Sequence, residues 1–143
     1  MAKISFSYLP FDNFDPVTKT KVGEVFKPFI TIRVQVKHGP LSFPIDALAD
    51  SGADRNLFPM ELATQILKLN LKKAKKKIIR GIGNSQNTAY TAKFKIWVNN
   101  NAYETEADFS SDQKFPILGR DGFFSLFKKV IFDETNRFTE LEM

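Results

Sequence analysis

Asp50 is the residue in this chain best placed to do acid–base chemistry. It ends the apolar run Ala47-Leu48-Ala49 and is followed by Ser51-Gly52-Ala53-Asp54. An acid at the end of an apolar strand is costly to bury unless it is paired or hydrogen-bonded. A carboxylate in such a place can act as a general acid, a general base or a nucleophile. The tripeptide Asp-Ser-Gly by itself also makes ordinary turns. A second segment, Gly81-Ile82-Gly83 followed by Asn84-Ser85, reads as a hairpin tip, where glycines let a backbone come close to a ligand. A third, Ile117-Leu118-Gly119-Arg120-Asp121, reads as a tight buried crossing with a charged segment after it.

Other chemistries have little to work with. The chain has no cysteine, so disulfide frameworks and thiolate zinc sites are excluded. Its one histidine, His38, stands beside Gly39 and Pro40 in a turn, which leaves no natural Ser-His-Asp or Cys-His constellation. No metal site and no cofactor are expected.

The elements that must hold these segments are mostly short strands. The 143 residues fit one domain, with 15 phenylalanines to fill a core. Residues 29–37 alternate apolar Ile30, Ile32, Val34 and Val36 with polar Thr31, Arg33, Gln35 and Lys37, the period of a half-buried strand. A turn at His38-Gly39-Pro40 leads to a second strand, residues 41–49, which delivers Asp50. Residues 59–69 are predicted as a short helix, with Pro59 in its first turn and Leu62, Ile66 and Leu69 on one face. Strands follow at 88–98 and 103–109, then the buried run 115–119. A last helix is predicted over 120–127, and closing strands over 128–132 and 137–141. Residues 1–28, with Pro10, Pro16 and Pro28, read as irregular. The division is an N-terminal arm over 1–25 and one β-rich domain over 26–143.

The net charge is +5 and is uneven. Lys68, Lys72, Lys73, Lys75, Lys76, Lys77 and Arg80 form a block without an acid, which could meet phosphates. It lacks interleaved aromatics, which favours a solvated connection over nucleic-acid binding. No stretch is long and apolar enough to span a membrane. The segment Met1–Phe6 lacks the apolar block of a signal peptide, and a cytoplasmic location is the expectation.

Taken together, in this order and spacing, the three segments resemble the retropepsins, the single-domain aspartic proteases of retroviruses and their cellular, bacterial and archaeal relatives. The family pattern is an apolar strand, Asp-Thr/Ser-Gly-Ala, a glycine-tipped flap, then apolar-apolar-Gly-Arg-Asp/Asn. It stands here as Leu48-Ala49-Asp50-Ser51-Gly52-Ala53, Gly81-Ile82-Gly83 and Ile117-Leu118-Gly119-Arg120-Asp121. The resemblance covers roughly residues 25 to 143 and implies an all-β fold, a closed β-barrel with one or two short helices. It implies Asp50 as the catalytic aspartate and Ser51 as the hydroxyl tying two active-site loops together. Gly52 would run beside the substrate, and Ala53 and Asp54 would line the channel. Gly81, Ile82 and Gly83 would form the flap, the most mobile ordered loop. Leu118 and Gly119 would pack under the catalytic loop, and Arg120 would anchor it through an ion pair with Asp54. Asn84 departs from the family's further flap glycine, and the N-terminal arm has no counterpart in the minimal pattern.

Aspartic proteases use two carboxylates that share a proton. This chain holds one Asp-Ser-Gly, so the resemblance implies a homodimer with one Asp50 from each chain, acting on a polypeptide substrate. The rival readings are an inactive retropepsin fold that binds peptides, and a basic β-domain that binds nucleic acid. A phosphotransferase using Asp50 as nucleophile would need alternating helices and strands, and the pattern after residue 78 is nearly all strand.

Overall fold

The computed structural model describes residues 2–80 and 86–143. Strands account for 55% of the chain and helix for 10%, which makes the domain all-β. In chain order the strands are β1 (Lys3–Ser7), β2 (Leu9–Phe14), β3 (Lys21–Lys27), β4 (Phe29–Gln35), β5 (Ile45–Ala49) and β6 (Leu57–Pro59). They continue with β7 (Lys75–Arg80), β8 (Gln86–Val98), β9 (Asn101–Ser110), β10 (Ile117–Leu118), β11 (Lys129–Asp133) and β12 (Phe138–Glu142).

Six of these close a barrel. The hydrogen-bonded order runs β4, β5, β10, β6, β9, β8 and returns from β8 to β4. The closing pairs are Arg33 with Trp97, Val34 with Ile96 and Gln35 with Lys95. Closure removes the sheet edges that would otherwise be left unpaired. The interior is apolar because each strand alternates: Ile30, Ile32 and Val34 of β4 point in and are buried, while Thr31 and Arg33 are exposed. Phe58, Phe94 and Phe109 meet inside with ring centroids 5.5, 5.8 and 6.0 Å apart.

The alternation at 29–37 is realised as β4, but its partner strand begins at Ile45, not Leu41. Pro40 and Pro44 have no N–H, so the ladder is interrupted there. Ser42 bridges the gap: its N–H donates to the Val34 carbonyl (3.0 Å) and its Oγ accepts from the Val34 N–H (2.8 Å).

Three readings of local structure are corrected. Residues 59–69 do not form a regular helix. Pro59 ends β6, and one wide helical turn follows over Leu62–Ile66, closed by the Leu67 N–H to the Leu62 carbonyl. Residues 120–127 form only a single tight turn at Phe124–Leu126. Gly122 lies at φ +103°, outside helical geometry, and its carbonyl is taken by the Thr105 hydroxyl, so a helix cannot propagate through it. Of the segment 1–28, read as irregular, the described residues 2–28 are largely strand. β1 pairs with β12, which pairs with β11, and β2 with β3 form a two-stranded ribbon. Such a ribbon has only edge strands, so it accommodates Pro10 without loss of a central ladder bond.

Candidate active site

β10 lies between β5 and β6, the two ends of the loop that carries Asp50. It runs parallel to β5, with Ile117 beside Leu48 and Leu118 beside Ala49, and antiparallel to β6 at Leu57. The loop is therefore a strap closed over a single short strand. Hydrogen bonds fix its entry: Leu48 N–H to the Pro116 carbonyl (2.9 Å), Ala49 N–H to the Pro28 carbonyl (3.0 Å) and Asp50 N–H to the Leu118 carbonyl (3.0 Å).

Asp50 is half-buried at the end of β5. Its carbonyl accepts the Ala53 N–H (3.1 Å), and its Oδ1 accepts the Gly52 N–H (2.9 Å). The turn thus orients the carboxylate with its own backbone. Ser51, Gly52 and Asp54 are exposed, and Ala53 is half-buried. Gly81, Ile82 and Gly83, and with them the expected flap tip and its mobility, lie outside the described residues. What is described is the base of that hairpin, β7 and β8, with Arg80 paired to Gln86.

Leu118 is fully buried beneath the loop, next to a buried Gly119. A Cβ on Gly119 would overlap the backbone of Arg55, so the crossing admits only glycine without displacement. Arg120 holds the loop differently from the expectation. Its N–H donates to the Ala53 carbonyl (2.9 Å), and the Asp121 N–H donates to the Asp54 carbonyl (2.8 Å). Among the described residues there is no ion pair between Asp54 and Arg120; the ion pairs near the loop belong to Arg55. The side chains of Asp54 and Arg120 are both exposed. In water a pair of that kind gains only ~0–1 kcal/mol, too little to hold two solvated chains together.

Three residues that the sequence reading passed over, Asn56, Arg55 and Asp108, complete the site. Asn56 is fully buried. Its Oδ1 accepts the Gly119 N–H (2.9 Å), its Nδ2 donates to the Glu106 carbonyl (3.1 Å), and its carbonyl accepts the Asp108 N–H (2.9 Å). It thereby staples the loop to β9 and to the segment after β10. Arg55 donates to Asp108 through Nε (3.1 Å), to Glu106 through Nη2 (2.8 Å) and to Asp121 through Nη1 (3.2 Å). Asp108, only 3% exposed, also accepts from Lys77 Nζ (2.6 Å) and the Thr91 hydroxyl (2.8 Å). Asn56 announces itself weakly, as a polar residue at the head of the apolar run Leu57-Phe58-Pro59. Asp108 has no such signal, because it continues the polar alternation of Glu104 and Glu106.

Burial opposes ionisation of Asp108, but the hydrogen bonds from Arg55, Lys77 and Thr91 outweigh it, and its carboxyl titrates below the ordinary carboxylate range. A carboxyl whose folded pKa is depressed stabilises fully above the ordinary value of about 3.9, and that stability is lost as the pH falls through the folded value. Between about pH 5 and about pH 2 the urea midpoint of the wild type should therefore drop further than that of Asp108→Asn. Equal drops would show that this carboxylate contributes nothing to acid sensitivity.

A family model described as retroviral aspartyl protease matches residues 25–128. No curated protein matches the chain. Among solved structures, the chain is similar to a retropepsin-like aspartic protease from Rickettsia conorii, with a TM-score of 0.64 and 14% identity over 99% of both chains. It is also similar to EIAV protease in complex with the inhibitor HBY-793, with a TM-score of 0.50 and 20% identity over 66% of this chain and 82% of that one.

Proposed function

The chain belongs to the retroviral aspartyl protease family and has the retropepsin fold, and from that premise we propose that it is an aspartic endopeptidase active as a homodimer, with one Asp50 from each subunit. The observation that carries this reading is the Asp50 loop. It sets a half-buried carboxylate at the end of an apolar strand, oriented by the Gly52 N–H and braced from below by Leu118. The intact Asp50-Ser51-Gly52 occurs once in the chain.

In the dimer the two loops meet at the symmetry axis, with Ser51 beside it. Two carboxylates about 3 Å apart cannot both ionise, so one keeps a proton. The ionised carboxylate takes a proton from a water held between them, and that water attacks the scissile carbonyl. The protonated carboxyl polarises the carbonyl oxygen, and the carboxyl that took the water's proton passes it to the leaving nitrogen as the C–N bond breaks. The pair titrates as a unit. Gly52, Ala53 and Asp54 border the substrate in this reading, and Gly81, Ile82 and Gly83 cover it.

The lysine block gives less support to nucleic-acid binding. Lys72, Lys73, Lys75 and Lys76 are exposed, but Lys77 turns inward to Asp108. Incubation with unfolded casein over an acid-to-neutral pH series, with and without a statine-type inhibitor, tests the proposal. Inhibitable cleavage is expected. Tight inhibitor binding without cleavage would instead identify a peptide-binding member of the fold. Sedimentation across a concentration series should give twice the chain mass wherever cleavage is seen, and a cleaving monomer would refute the shared-pair mechanism.

A further inference from the structure

We propose that the buried carboxylate of Asp108 is a positioning residue that sets the β7–β8 ribbon at a defined height against the Asp50 loop. β9 pairs with β8 only from Tyr90 to Val98, whereas β7 pairs with it from Gln86 to Thr91. The stretch in which Lys77 opposes Ala89 therefore projects beyond the barrel as two strands. A two-stranded ribbon is marginal on its own. Its ladder fixes register, but nothing in the ladder fixes its tilt.

The Lys77 ammonium supplies a bond from this ribbon back to the barrel, 2.6 Å from Asp108 Oδ2. The same oxygen accepts Arg55 Nε (3.1 Å), and Oδ1 accepts both Arg55 Nη2 (3.3 Å) and the Thr91 hydroxyl (2.8 Å). Four donors fill the acceptor sites of one carboxylate. They come from β7, from β8 and from the strap that begins at Asp50. Arg55 cannot swing away, because its other groups hold Glu106 and Asp121 and its backbone lies against Gly119. The planar fork of Arg55 fixes orientation, while the flexible lysine reaches across. Asp108 is thus the joint between the ribbon and the catalytic loop.

The kinetic part of this inference rests on the protease reading, and the structural part does not. Lys77→Met removes the tether but leaves Asp108 paired with Arg55 and Thr91. Amide exchange within β7 should speed up by about tenfold, with β4 and β9 unchanged. In an active enzyme KM for a peptide should rise by about tenfold with kcat within about twofold, since substrate is gripped less well but the carboxylates stay in place. Lys77→Arg should restore both readouts. Arg55→Met, which frees the strap itself, should lower kcat instead. Unchanged β7 exchange in Lys77→Met overturns the proposal, and so does an active Lys77→Met enzyme with unchanged KM, or no rescue by arginine. A wild type that never cleaves overturns the protease reading alone, and the exchange result then decides the joint.

Discussion

Asp50→Asn is expected to lower peptide cleavage by roughly 10³-fold or more, the scale lost when a positioned general base is removed. Asparagine keeps the shape of the side chain, and its oxygen can still accept the Gly52 N–H that orients Asp50 now. What it cannot do is take a proton from water or share one with its symmetry mate. The fold, the dimer and the binding of a statine-type inhibitor should survive, so circular dichroism and sedimentation separate loss of chemistry from loss of structure. Residual cleavage within about tenfold of wild type would remove Asp50 from the mechanism.

Gly119→Ala is expected to be the most damaging small substitution outside the carboxylate. The new Cβ would overlap the backbone N, C and O of Arg55. Backbone atoms cannot rotate away as a side chain tip can. Either the strap over β10 opens or the Asn56 hydrogen bond to the Gly119 N–H breaks. Overpacking of this kind costs about 3 kcal/mol or more when the neighbours are fixed. Activity should fall with stability, because the strap that moves is the one that carries Asp50. Gly52→Ala should be milder: its Cβ would meet only Asp50 Oδ1, a side-chain atom, at 3.2 Å. Urea unfolding measures both. A loss below about 1 kcal/mol for Gly119→Ala would mean that the two segments part easily, and the strap would not be the brace described here.

Much of this protein was determined by local residue order. The period-two alternation of Ile30, Ile32 and Val34 dictates a strand with one buried face, and the strand and the burial are both found. An acid after Ala47-Leu48-Ala49 and before Ser51-Gly52 dictates a turn at the end of a buried strand, because the carboxylate needs donors and Gly52 provides an unhindered N–H. The small residue at 119 marks a close crossing, and a close crossing is what the fold contains. These features depend on neighbours within a few residues, and so they are legible in the sequence.

What the tertiary structure alone decided is how charge is distributed around that loop. The family resemblance pointed to Arg120 and Asp54 as the anchoring pair, but both side chains stand in water, where pairing gains little. The anchor is Arg55, whose three carboxylate partners lie far along the chain at Glu106, Asp108 and Asp121. Asp108 sits in a strand whose polar residues look solvent-facing, and it is buried because β6 pairs alongside and Lys77 folds over from the ribbon. The predicted helix at 120–127 failed for a similar reason: Thr105, from another strand, captures the Gly122 carbonyl. Sequence order records which groups are charged or apolar. Which of them lose their water, and which partner they find when they do, depends on strands that meet only once the barrel has closed.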